Sequence, residues 1–77
     1  MVIILNDGMG NTIDYNGEKI HVEETNSFTF EDDNDTHVFE FFSRKDREDA
    51  VDTITQAYES GDLECFIDNI AEYYTDN

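Results

Sequence analysis

The spacing of large apolar residues changes once along this chain, and the change limits what the chain can fold into. Before Ser43 these residues stand at alternate positions, as in Phe28 and Phe30 or in Phe39 and Phe41. After Ser43 they recur every three or four positions. A period of two is typical of strands and the longer period is typical of helices. We therefore expect a sheet followed by helices.

The charge of the chain bears on whether it folds at all. Its 77 residues include 20 Asp and Glu but only 4 Lys and Arg, and the formal net charge is -16. High charge is also typical of disorder, but disordered tails lack the regularly spaced Ile, Phe and Tyr found here. A chain of this length forms one small domain, which buries only about 60% of its unfolded surface and is marginally stable. We expect a single acidic domain over residues 1–77.

Two alternating runs flank Asn16 and Gly17, the residue pair that most favours a tight β-hairpin. The runs cover Thr12–Tyr15 and Glu18–Val22. This pattern predicts that they pair with each other, after a short buried strand over Val2–Leu5.

A second hairpin is predicted around the loop Glu31–Asp35. Pairing Phe30 with His37 and Phe28 with Phe39 places the Phe side chains on one face. With the first hairpin this makes a small antiparallel sheet of about four strands.

Two helices are expected to follow. Ser43 is a natural N-cap for a helix that runs to Ser60, and Gly61 is a natural stop. Asp62 would cap a second helix, in which every third or fourth residue is apolar. Its inward residues would be Leu63, Phe66, Ile67, Ile70 and Tyr74. The predicted fold class is α+β, a small antiparallel sheet followed by two C-terminal helices packed on it.

Acidic residues recur every fourth position in the second predicted helix, at Glu64, Asp68, Glu72 and Asp76. On a helix this spacing forms one row with a side chain about every 6 Å. Each like-charge pair costs about 0.2–0.5 kcal/mol, which a marginal domain would avoid unless the row were useful. One interpretation is that the carboxylates imitate the phosphates of a nucleic acid, and the other is that they only keep the chain in solution.

The candidate partner-binding residues are acids of the hairpin loop and of the two predicted helices. They are Asp32, Asp33, Asp35, Asp49, Asp52, Glu64, Asp68 and Glu72.

The charge also excludes several classes of partner. An acidic surface repels phosphate, which argues against direct binding to nucleic acid or to an anionic membrane. The apolar run Val2–Leu5 is too short to be a signal peptide or to span a bilayer. A lone cysteine, Cys65, cannot form an internal disulfide, so we expect a soluble protein of a reducing cytoplasm.

No motif predicts a cofactor, a metal site or a catalytic centre. The run Asp32–Asp35 offers oxygen ligands for calcium, but the glycine and the final glutamate of an EF-hand loop are missing. His21, His37 and Cys65 are too few for a zinc site. A carboxylate-rich setting also raises the pKa of a thiol, which argues against a cysteine nucleophile.

The segment Thr36–Tyr74 combines a strand, a helix that ends at Gly61 and an expected second helix rich in acids and aromatics. In this pattern and in its acidity the chain resembles phage-encoded DNA-mimic inhibitors. It is closest in general pattern to the type II-A anti-CRISPR proteins that occupy the DNA-recognition surface of Cas9. The resemblance implies a stoichiometric inhibitor that acts in the cytoplasm of an infected bacterium.

Together the residues and the resemblance predict a non-enzymatic inhibitor of a basic nucleic-acid-binding defence protein, either a Cas9-type effector or a restriction enzyme. An immunity protein that neutralises a basic nuclease toxin is the main alternative, because it needs similar electrostatics. A salt-adapted structural domain and a calcium-binding module also stay open.

Overall fold

The computed structural model describes residues 1–76, which form seven strands in two sheets and one α-helix in the middle of the chain. In chain order the elements are β1 (Ile3–Asn6), β2 (Thr12–Tyr15), β3 (His21–Val22), β4 (Ser27–Glu31), β5 (Thr36–Phe41), α1 (Arg44–Ser60), β6 (Glu64–Phe66) and β7 (Ile70–Asp76). The short sheet has the strand order β2-β1-β6, and the long sheet has the order β3-β4-β5-β7.

The short sheet is built around β1, which matches the predicted N-terminal strand. It pairs antiparallel with β2 and parallel with β6. Ile3 and Leu5 on β1 are fully buried, and Ile13 and Tyr15 on β2 are also buried. These alternate residues form the inner face of the short sheet.

The long sheet is antiparallel throughout, and its central hairpin confirms the predicted register. Phe30 lies opposite His37 and Phe28 lies opposite Phe39 on strands β4 and β5. These aromatic side chains face the core, where Phe28 and Phe39 stack with ring centroids 5.0 Å apart. One apolar cluster joins the inner faces of both sheets to α1.

The predicted first helix and both of its ends are confirmed. The Ser43 hydroxyl accepts a hydrogen bond from the amide of Asp46 at 3.1 Å, as an N-cap does. Gly61 ends the helix in the left-handed conformation, with φ of 76°. The buried face carries Ala50, Ile54 and Ala57, whose spacings of four and three residues place them on one side of the helix.

The predicted second helix is wrong, and with it the prediction of a sheet followed by two helices. The segment instead forms β6 and β7, so that the molecule is mostly β. Asn69 has a φ of +64°, which interrupts any helix. Tyr73 packs its ring 4.7 Å from that of Phe39, since β7 pairs with the otherwise open edge of β5. The apolar spacing favours a helix, but cross-strand packing on β5 favours a strand more strongly. Like charges four residues apart also destabilise the helix.

The predicted hairpin at Asn16 and Gly17 is also wrong. The Thr12–Tyr15 strand pairs with β1, and the chain then crosses to the long sheet, where β3 pairs with β4. Gly17 has the positive φ expected of a turn, but the turn joins two sheets. The Tyr15 hydroxyl donates to the carbonyl of Glu18 at 2.7 Å and so holds the turn beside the short sheet.

Gly17 is the glycine at which a side chain meets the most resistance. Its φ is +79°, and a Cβ built there would lie 2.7 Å from the hydroxyl oxygen of Tyr58. Left-handed backbone alone costs a non-glycine residue about 1–2 kcal/mol. At Gly8 the φ is similar, +77°, but nothing lies within 4 Å.

We therefore expect Gly17→Ala to lower the free energy of unfolding by about 2–3 kcal/mol, the sum of backbone strain and displacement of Tyr58. Gly8→Ala is the matched control. Its cost is expected to be smaller than that of Gly17→Ala by at least about 1 kcal/mol, since it introduces backbone strain without a clash. Urea denaturation followed by circular dichroism measures both. Equal costs for the two variants would show that the approach to Tyr58 has no energetic weight.

Candidate functional site

Acidic side chains dominate the surface because few cations neutralise them. Among residues 1–76, ion pairs join Lys45 to Asp49 and Arg47 to Glu48, and the His37 ring is hydrogen-bonded to Asp32. The accessible surface of 4806 Å² carries 16 net negative charges, about 300 Å² for each. Such a surface attracts basic partners over distances near the Debye length.

The eight predicted acids lie in four places. Asp49, Glu64 and Asp68 surround a groove between α1 and β6; Asp32, Asp33 and Asp35 lie in the turn between β4 and β5; Glu72 lies on β7; and Asp52 lies on the exposed side of α1. The structure thus brings together two groups of three. It separates Glu72 from Glu64 and Asp68, because these residues do not share a helix.

The first group belongs to what we term the α1–β6 groove. Two adjoining cavities, of about 360 and 170 Å³, share Thr53 and Phe66 in their walls. Five carboxylates line them: Asp46, Asp49, Asp62, Glu64 and Asp68. The exposed ring of Phe66 lies between the acids of β6 and of the following loop. The groove therefore combines negative charge on two walls with one apolar side chain.

The local sequence explains how these acids face each other. On α1, Asp46, Asp49 and Thr53 are three or four residues apart and so share one side of the helix. On the opposite wall Glu64 and Phe66 alternate with the buried Cys65, as the two faces of a strand require.

The second group, in the β4–β5 turn, is organised by Asp32. Its carboxylate accepts hydrogen bonds from the amides of Asn34 and Asp35, both at 2.8 Å. Its other oxygen lies 2.7 Å from Nε2 of His37. Asp32 and Asp33 are both exposed, and the carboxylate of Asp32 is committed to hydrogen bonds that hold the turn.

Asp32, His37 and Tyr73 form a chain of side chains that ties the turn to β7. Nδ1 of the buried His37 lies 2.8 Å from the Tyr73 hydroxyl. The hydrogen bond from His37 and those from two amides lower the pKa of Asp32 to about 2. Burial, together with the nearby carboxylates of Asp35 and Asp32, raises the pKa of Tyr73. These contacts give the cluster a structural role.

The lowered pKa of Asp32 predicts a loss of stability in acid. As the pH falls from 3.8, the ordinary pKa, to about 2, Asp32 is protonated in the unfolded chain but still ionised in the folded protein. This contribution to the free energy of unfolding is therefore complete above pH 4 and is lost as the pH falls towards 2. Asp32→Asn removes it, so we expect the variant to be less stable than the wild type at pH 6 and the difference to shrink below pH 4.

Urea denaturation midpoints measured from pH 6 to pH 2 test this expectation. Asp33→Asn removes the same charge from the same turn and is the matched control, whose midpoint is expected to follow that of the wild type. A difference between wild type and Asp32→Asn that stays constant with pH would contradict the role assigned to Asp32.

Asp7 is the buried exception among the acids and does not belong to the acidic surface. Burial acts to raise its pKa, but hydrogen bonds from the Asn11 side chain and from the amides of Met9 and Asn11 outweigh burial and lower the pKa. Asp7 thus organises the loop between β1 and β2.

Glu72 lies on the outer face of the long sheet, directly opposite Glu40 on β5. Tyr74 and Asp76 follow on the same face of β7, at alternate positions, while Tyr73 faces the core. Like charges directly opposite each other on adjacent strands are destabilising. No ion pair within residues 1–76 involves Glu40 or Glu72.

Sequence reasoning missed Glu40 and Phe66 on these surfaces, and it counted Asp76 in the acidic row without including it among the candidate partner-binding residues. A signal was present for β7, because Glu72, Tyr74 and Asp76 alternate with a period of two. No comparable signal marks Phe66, which the helical pattern placed in the core but which is 61% exposed.

Within residues 1–76 no group of three or more His, Cys, Asp and Glu side chains is arranged to hold a metal ion. Cys65 is buried, and burial together with the carboxylates of Asp62 and Asp68 raises the pKa of its thiol. A raised pKa disfavours the thiolate that a nucleophile would require.

Comparison with known proteins leaves the site to be interpreted on its own geometry. No protein-family model, no curated protein and no solved structure matches the chain. No helix of residues 1–76 is long and apolar enough to cross a membrane.

Proposed function

We propose that this protein is a stoichiometric inhibitor that imitates nucleic acid and occupies the basic groove of a nucleic-acid-binding defence protein, such as a Cas9-type effector or a restriction enzyme. It would act in the cytoplasm of the host bacterium. The observation that supports this most is the α1–β6 groove, where five carboxylates lie on two facing walls.

The physical basis is competition for cations. Double-stranded DNA carries one charge per about 1.7 Å of its axis, and proteins that bind it present Arg and Lys to the phosphates. The carboxylates of the groove form charge-assisted hydrogen bonds with those same side chains. Because Lys45 is the one cation among residues 1–76 that pairs with a groove acid, most of this charge is left for a partner.

Mimicry also predicts how binding responds to conditions. Association driven by charge is fast and weakens as salt is added, and duplex DNA competes for the same partner surface. Each acid contributes modestly, because exposed ion pairs are worth about 0–1 kcal/mol. Loss of inhibition therefore requires more than one charge reversal.

The immunity-protein alternative is favoured by one observation, the exposed ring of Phe66 in the groove wall and the exposed side chain of Leu63, which is close to it in sequence but outside the groove lining. Phe66 is 61% exposed and Leu63 is 83% exposed, beside Asp62 and Glu64. Buried aromatic anchors contribute most of the affinity in many protein interfaces, and they do not depend on salt. A nuclease toxin held through these residues would stay bound in high salt.

The experiment that tests the proposal is capture of partners from a bacterial lysate by the tagged protein, in about 50 mM and about 0.5 M salt, with and without excess duplex DNA. We expect one nucleic-acid-binding enzyme to be retained at low salt and released by either addition. Glu64→Lys with Asp68→Lys is expected to lose at least tenfold in affinity for that enzyme. The control, Asp14→Lys with Glu24→Lys, changes net charge equally but lies outside the groove.

Two outcomes would overturn mimicry. A partner that is retained through high salt and through DNA would favour apolar anchoring and the immunity alternative. Equal loss of affinity in the two double variants would show that net charge, rather than the groove, determines binding.

A further inference from the structure

The outer edge of β7 is the longest unpaired strand edge among residues 1–76. β7 ends the long sheet and pairs on one side only, with β5. It has seven residues, while the other edge strands have four in β2, two in β3 and three in β6. An edge strand presents amide and carbonyl groups that can pair with another strand. This edge is therefore long enough to accept a further strand.

β7 has only some of the usual protections of an edge strand, namely acidic side chains and a bulge at its start. The chain has no proline, and β7 has no lysine, although both commonly block edge pairing. The β-bulge in the pairing lies at its start, between Glu40 and Phe41 of β5. The rest of the strand, through Asp76, pairs in regular register with β5.

The side chains of β7 indicate which kind of strand would fit. On the outer face Glu72 and Asp76 flank Tyr74, with one inward residue between each. Glu72 also lies opposite Glu40, whose carboxylate accepts a hydrogen bond from the Tyr74 hydroxyl, and no ion pair within residues 1–76 involves either glutamate. Like charges at opposed positions of two strands repel each other. A basic side chain on an added strand would lie beside Glu72 and relieve this repulsion.

The same charges disfavour a second copy of this chain. Self-pairing of two β7 strands would bring the acids of one copy against those of the other, on molecules that each carry a net charge of -16. A basic strand meets no such repulsion.

We propose that the β7 edge binds an extended segment of another protein by strand addition, with Lys or Arg at two positions four residues apart and an apolar or aromatic residue midway. The cations lie beside Glu72 and Asp76, and the central residue packs on Tyr74. Backbone hydrogen bonds supply affinity and the alternate side chains supply specificity. This binding site is separate from the α1–β6 groove and does not depend on nucleic-acid mimicry.

The test uses a synthetic peptide, acetyl-Thr-Lys-Val-Tyr-Val-Lys-Thr-amide, added to the isotope-labelled protein. The control peptide is the same sequence N-methylated at its five central residues, which keeps the charges but removes the backbone N–H donors of those residues. We expect the parent peptide to slow hydrogen exchange at β7 amides at least tenfold, and the methylated peptide to bind at least tenfold more weakly.

Matched protein variants complete the test. Glu72→Lys with Asp76→Lys removes the acids of the edge, and it also removes the like-charge contact with Glu40, so it is expected to fold. This variant should bind the parent peptide at least tenfold more weakly, while Asp14→Lys with Glu24→Lys should stay within threefold of wild type. The proposal is overturned if the methylated peptide binds as well as the parent, if β7 amides gain no protection, or if both double variants lose affinity equally.

Discussion

Replacing Phe39 with alanine is expected to lower the free energy of unfolding by about 3–5 kcal/mol. Phe39 is fully buried on β5, the strand that joins the central hairpin to β7. Its ring contacts those of Phe28, Phe30 and Tyr73, at centroid distances of 5.0, 6.1 and 4.7 Å. A truncation here removes contacts to both neighbouring strands and leaves a cavity between them.

The effect is large relative to what the domain can lose. Native proteins have about 0.05–0.15 kcal/mol of stability per residue, or about 4–12 kcal/mol for this chain. Phe39→Ala would remove a large part of this free energy of unfolding, so we expect the variant to be partly unfolded at 37 °C. Self-repulsion among the acids adds to the vulnerability.

Phe42→Ala is the matched control, three positions further along the chain. Phe42 is 71% exposed, so its loss is expected to change the free energy of unfolding by less than about 0.5 kcal/mol. Urea denaturation, read by circular dichroism at 25 °C, compares the two variants. If the two substitutions lower the free energy of unfolding by the same amount, the Phe39 side chain does not lie in the hydrophobic core.

Much of the first 60 residues could be predicted because local rules and tertiary packing agree there. The β4–β5 hairpin has alternating aromatic residues, and a slip of one residue from Phe28 opposite Phe39 would move the aromatic side chains of one strand to the outer face. Helix α1 has a cap at Ser43, a stop at Gly61 and one apolar face. In these two elements the local sequence pattern favours the same structure that packing in the complete fold requires.

The last 16 residues could not be predicted because their apolar residues fit two periods. Phe66, Ile67, Ile70 and Tyr74 are spaced as on a helix, yet they include the β-branched and aromatic types that strands favour. The strand is favoured over the helix because β7 pairs with the open edge of β5, and the local sequence does not show that this pairing partner exists. The same reason explains why Thr12–Tyr15 pairs with β1 and not with the residues after Gly17.

The sequence indicated which acidic residues would line a surface, but it did not predict how they are arranged. Composition and charge spacing identified the acids, and Asp49, Glu64 and Asp68 do surround one groove. The expected row that continued to Glu72 does not exist, because a strand displays alternate residues and a helix every third or fourth. Charge can be counted from a sequence, but its geometry depends on the secondary structure that carries it.

The role of Arg47 is one that the sequence does not reveal. A positive charge in the first turn of a helix is disfavoured by the helix dipole, so its presence requires a specific reason. The side chain is 6% exposed, and its Nη1 donates to the carbonyl oxygens of Glu23 at 2.8 Å and Thr25 at 2.9 Å. Arg47 thus fastens the turn between β3 and β4 to the start of α1, a contact between residues more than 20 positions apart.

Arg47→Met is expected to lower the free energy of unfolding by about 2–3 kcal/mol. Hydrogen bonds from a charged donor contribute about 1.5–3 kcal/mol each, and methionine keeps most of the apolar stem while removing both. Part of this loss is offset, because the substitution also removes the buried Nε of Arg47, which has no partner among residues 1–76. Amides of the β3–β4 turn should exchange hydrogen faster in the variant.

Arg44→Met is the control that isolates the effect of position from the effect of charge. It raises the net negative charge by the same amount and changes the same helical turn, but Arg44 is exposed. We expect a change of less than about 0.5 kcal/mol. Urea denaturation gives both free energies, and hydrogen exchange locates the loss. Similar costs for the two variants would mean that Arg47 acts through net charge alone, since Arg44 is exposed and makes neither of the two carbonyl contacts.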